Sequence, residues 1–72
     1  MSKLVDMLRT SAEADKAKAL LSLELLDQKA VGIGDHSTED FYKNAEEALS
    51  LLVDADDRLE ALETYFNDKV LL

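Results

Sequence analysis

Asp35, His36 and Ser37 stand side by side in "AVGIGDHSTEDF", residues 30–41, with Glu39 and Asp40 close behind. An acid, an imidazole and a hydroxyl are the ingredients of nucleophilic catalysis. Neighbours in sequence do not supply the geometry, because a catalytic triad converges from separate points of a fold. Metal binding asks less of the backbone. Asp35, His36, Glu39 and Asp40 offer an imidazole and several carboxylate oxygens, and oxygen donors suit Mg²⁺ or Ca²⁺. An EF-hand loop, however, needs glycine at its sixth position, and counting from Asp35 puts Asp40 there. A single histidine without cysteine is also a poor set for zinc. These four residues are therefore weak metal candidates.

A phosphate cradle fits no better. Gly32 and Gly34 form a Gly-x-Gly, but the strand, the third glycine and the lysine of a dinucleotide or P-loop motif are missing. The nearby acids would repel the anion. Carboxylates spaced i, i+4, such as Asp56 and Glu60, share a helix face, yet nothing around them would raise one pKa for acid–base work. No catalytic residue and no cofactor are expected, and the chain does not read as an enzyme.

The same stretch is fully explained as a turn. Gly32 can end a helix in the left-handed conformation, and Ile33 can fold back on its last turn. Gly34 permits a second bend. Ser37 is a good N-cap, and Asp40 completes a variant capping box. His36 and Phe41 are placed as a hydrophobic staple, while Glu39 and Asp40 favour the positive end of the helix dipole.

The turn separates two segments that contain neither proline nor glycine. The first, about 3–29, is rich in Ala, Leu, Lys and Glu, which are strong helix formers. Its apolar stripe reads Val5, Leu8, Ala12, Ala19, Leu23, Leu26, Ala30, interrupted at Asp15 and Lys16. The leucines of "LLSLELL" point in too many directions for one neighbour to cover. The second segment, about 37–67, holds Phe41, Ala45, Ala48, Leu52, Ala55, Leu59, Leu62 and Phe66 at alternating spacings of four and three. That heptad pattern belongs to a helix packed lengthwise on another. Its alanines make a thin seam, which leucines of "LLSLELL" could fill. Tyr42, Leu49 and Val53 form a further stripe beside the seam, with Leu51 and Tyr65 on the opposite flank.

One domain is expected: an all-α, antiparallel two-helix hairpin over residues 1–72, with the turn at 30–36. A lone hairpin would leave many large side chains in water, at about 1.5–3 kcal/mol each. Dimerisation into a four-helix bundle, or assembly into a higher symmetric oligomer, covers them. Leu21, Leu25, Tyr42, Leu49 and Val53 are the expected interaction residues, and the first expected partner is a second copy.

Charge narrows the remaining partners. The net charge is −8, and residues 1–30 are neutral, with five acids against five bases. The second half carries almost all the excess, which disfavours direct contact with nucleic acid or an anionic membrane. Carboxylates at 39, 40, 46, 47, 54, 56, 57, 60 and 63 could instead form an acidic surface for a basic protein. The run "DADDRLEALE" reads most simply as a solvated face, with Arg58 able to pair with Asp54. There is no cysteine, so nothing points to an oxidising compartment, and Asp6 and Arg9 break any signal-peptide core. An unprocessed cytoplasmic protein is the expectation.

"VGIGDH" at 31–36 and "ALETYF" at 61–66 resemble short uncharacterised helical proteins of contractile-tailed phages, cyanophages included. The likeness spans about half of the chain; residues 1–29 share only helical character. It implies a compact helical fold and expression inside an infected bacterium, with a phage or host protein as a possible partner. It carries no activity and no site residues with it.

Overall fold

The computed structural model describes residues 2–29 and 38–66. Within them lie two helices, α1 (Lys3–Lys29) and α2 (Thr38–Phe66). The turn assignments at Gly32, Ile33, Gly34, Asp35, His36 and Ser37 fall outside the described residues. At the other end, Ser2 caps α1: its Oγ accepts the Val5 N–H at 3.0 Å, and its carbonyl accepts that of Asp6 at 3.1 Å. The hydroxyl meets a donor that the first helical turn leaves without an intrahelical partner.

The helices pack antiparallel. Ascending positions of α1 meet descending positions of α2: Leu8 and Ser11 share a groove with Leu62 and Phe66. Asp15 and Lys16 reach Arg58 and Asp56, and Ser22 and Lys29 lie across from Leu51 and Asn44. This register brings Ala19 about level with Ala55. Most of the heptad seam of α2 turns inward, with Ala48, Ala55 and Leu62 buried and Phe41, Ala45, Leu52 and Leu59 half-buried. Phe66 at its end and Leu8 of the α1 stripe stay exposed, because nothing among the described residues covers them at the far end of the hairpin.

Alanine meets alanine at the centre. Ala12, Ala19 and Ala55 are fully shielded, and no large side chain among the described residues is completely buried. Small side chains allow the two backbones to approach closely. The thin part of the α2 seam is therefore met by Ala19, while Leu23 and Leu26 lie half-buried nearer the turn. The remaining leucines of the cluster, Leu20, Leu21 and Leu25, stay exposed. Close approach of this kind buries little apolar volume, so the hairpin's core is a single narrow line.

Candidate functional site: two opposite flanks of the hairpin

The polar interruption of α1 carries the strongest directional contacts between the helices. Asp15 and Lys16 fall on either side of the Ala12–Ala19 line, because successive residues turn by about 100°. Arg58 Nη2 donates to Asp15 Oδ2 at 2.7 Å. Its Nε lies 3.0 Å from Asp54 Oδ2, one turn back along α2, as an ion-pair contact rather than an aligned hydrogen bond. The bond to Asp15 is the first cause of a raised Arg58 pKa, with the charges of Asp54 and Asp15 adding to it. The guanidinium thus stays protonated, and any stability it contributes is lost only as pH rises through that raised value. On the other side, Lys16 Nζ meets Asp56 Oδ1 at 2.9 Å.

These pairs divide the surface into two flanks. The Asp15–Arg58 flank carries two open grooves, one toward each end. The first, about 490 Å³, lies between Ser22, Leu25 and Lys29 of α1 and Asn44, Glu47 and Ala48 of α2. The second, about 220 Å³, is lined by Leu8, Ser11, Arg58, Ala61, Leu62 and Phe66. Small residues at Ser11, Ser22, Ala48 and Ala61 leave these hollows between longer neighbours.

The Lys16–Asp56 flank follows a heptad ladder. One heptad toward the turn, the equivalents of Lys16 and Asp56 are Leu23 and Leu49; one heptad the other way, they are Arg9 and Glu63. Charge gives way to apolar surface halfway along. Leu20, Tyr42, Leu49 and Val53 project there, exposed at 47%, 59%, 53% and 51%. Half-buried Leu23 and Leu52 lie beneath them, and the Tyr42 ring stacks edge-on against Phe41 with centroids 6.0 Å apart.

All five expected interaction residues are exposed, but they do not form one patch. Tyr42, Leu49 and Val53 lie on the Lys16–Asp56 flank. Leu25 lines the groove of the other flank, and Leu21 stands on the side of α1 turned away from α2. Leu20 is the α1 leucine that joins Tyr42, Leu49 and Val53. It follows Lys16 at i+4, so its flank becomes readable only once the partner of Lys16 is known.

Of the metal candidates, Asp35 and His36 lie outside the described residues, and Glu39 and Asp40 are exposed in the first turn of α2. Among the described residues no three acids or histidines converge as a metal cage. None of the described helices is long and apolar enough to cross a membrane. The chain matches no family model, no curated protein and no solved structure.

Proposed function

We propose that this protein acts by non-covalent protein–protein contact, as a homodimer whose two hairpins form a four-helix bundle. One observation supports this above the rest: eleven large apolar side chains stand exposed among the described residues. Covering them against a second copy would stabilise the pair by about 1.5–3 kcal/mol for each side chain fully buried.

The proposed role is accessory or structural, in the cytoplasm of an infected bacterium, and it is supported by the resemblance of "VGIGDH" and "ALETYF" to phage proteins. Sedimentation over a wide concentration range tests the self-association. The expected result is a dimer mass at micromolar concentration; a monomer throughout contradicts the reading.

A second reading rests on the acidic residues. All nine carboxylates of α2, from Glu39 to Glu63, are exposed. They suit an acidic mimic of nucleic acid that occupies a host DNA- or RNA-binding protein. Asp54 and Asp56 are already committed to Arg58 and Lys16, which weakens the charge they present. Capture from a bacterial lysate separates the two readings. Basic proteins released by salt favour the mimic, and salt-resistant capture favours apolar contact.

A further inference from the structure

We infer that the second copy docks on the Lys16–Asp56 flank, with both turns at the same end of the bundle. The inference rests on the self-association proposed above and adds to it a face and an orientation. The flank supplies an apolar patch in Leu20, Leu23, Tyr42, Leu49, Leu52 and Val53, with the exposed carboxylates of Glu24, Asp27 and Glu46 one helical turn from Leu20, Leu23 and Tyr42. On the opposite flank, the Asp15–Arg58–Asp54 cluster separates the two grooves, so its apolar surface is broken in the middle.

Two symmetric pairings can bring this flank against its own copy. With the twofold axis across the rod, the turns lie at opposite ends and α2 runs beside the partner's α2. With the axis along the rod, the turns lie together and each α1 runs beside the partner's α2. Charge separates them. Residues 38–66 carry nine acids against Lys43 and Arg58, whereas residues 3–29 carry five acids and five bases. The first pairing sets two strongly acidic helices side by side along their length. The second places them on the diagonal and puts a neutral helix between them.

The second pairing also preserves level. Each apolar half meets the partner's apolar half without sliding, and each Lys16 comes to the height of the partner's Asp56. In the first pairing, the apolar halves overlap only if the rods shift lengthwise, which leaves the far ends uncovered.

The chain has no cysteine, so a single label can be introduced cleanly. A spin label at Lys3→Cys reports the orientation. Turns at the same end hold the two labels within the bundle's width, roughly 20–30 Å. Turns at opposite ends separate them by at least about the length of α1, roughly 40 Å. A dimer with the longer distance overturns the orientation and leaves the self-association standing. The face is tested with Leu49→Glu against Leu25→Glu, each checked for helix content by circular dichroism. Leu49→Glu is expected to weaken dimerisation at least tenfold, and Leu25→Glu to leave it within about threefold. The reverse order overturns the face. If Leu49→Glu loses its helix content, Val53→Glu takes its place. A wild-type chain that never sediments above 8.0 kDa overturns the self-association itself, and this inference with it.

Discussion

Arg58 holds the middle of the hairpin by gripping one carboxylate on each helix. Its bond to Asp15 spans 43 positions of sequence, whereas its contact with Asp54 is local to α2. The two contacts should therefore behave differently in mutants. Arg58→Ala is expected to lower the thermal midpoint, and adding Asp15→Ala should lower it little further. Asp54→Ala alone should change it less than Arg58→Ala does. A double-mutant cycle checks this, since additive losses for 15 and 58 would mean that the bond contributes nothing. Ser2 is a second residue with a defined contribution. Replacing it by alanine removes the acceptor of the Val5 N–H and should cost about 1 kcal/mol in denaturant melts. Fraying confined to the first turn of α1 would accompany it, visible in amide exchange.

At the scale of the element, the decisive feature is the line of small residues along which the helices touch. Ala19 and Ala55 are fully shielded near the middle of that contact. Ala19→Leu or Ala55→Leu should destabilise by about 1–3 kcal/mol, because the extra atoms have no space without separating the backbones. Ala17→Leu, on the exposed side of α1, should be nearly neutral, and urea melts of the variants provide the comparison. This inner line was legible in the sequence. The stripe from Val5 to Leu26 and the seam from Phe41 to Leu62 declare it without reference to any partner, although Leu8 and Phe66, read into the same faces, stay exposed. The ion pairs were less accessible. Asp15 and Lys16 look like a defect in the stripe until Arg58 and Asp56 are brought across from the other helix. The same applies to the outer leucines. Which flank Leu20, Leu21 or Leu25 shares with Tyr42 and Leu49 follows only when the inner faces of both helices are set against each other antiparallel, a step that neither helix's spacing supplies alone. Ser2 was missed for a different reason: a cap one residue before a helix start carries weight only when the start is fixed.

For the molecule as a whole, apolar surplus and charge act in opposite directions. The exposed leucines, Tyr42 and Val53 favour association, while a net charge of −8 on each chain opposes it. The charge also has a fixed location, since α1 is neutral and α2 carries nine acids against two bases. Added salt screens the repulsion between chains, over a Debye length that falls from about 20 Å near 20 mM to about 5–6 Å near 300 mM. It has little effect on burial of apolar side chains over the same range. The dimer dissociation constant should therefore fall as salt rises, by several-fold rather than by orders of magnitude. Ion pairs across the interface, such as Lys16 with the partner's Asp56, would work against that trend without reversing it, because exposed pairs contribute little. Sedimentation equilibrium at a series of salt concentrations measures the slope directly. Association that weakens steeply with salt would mean that charge rather than apolar surface holds the two chains together.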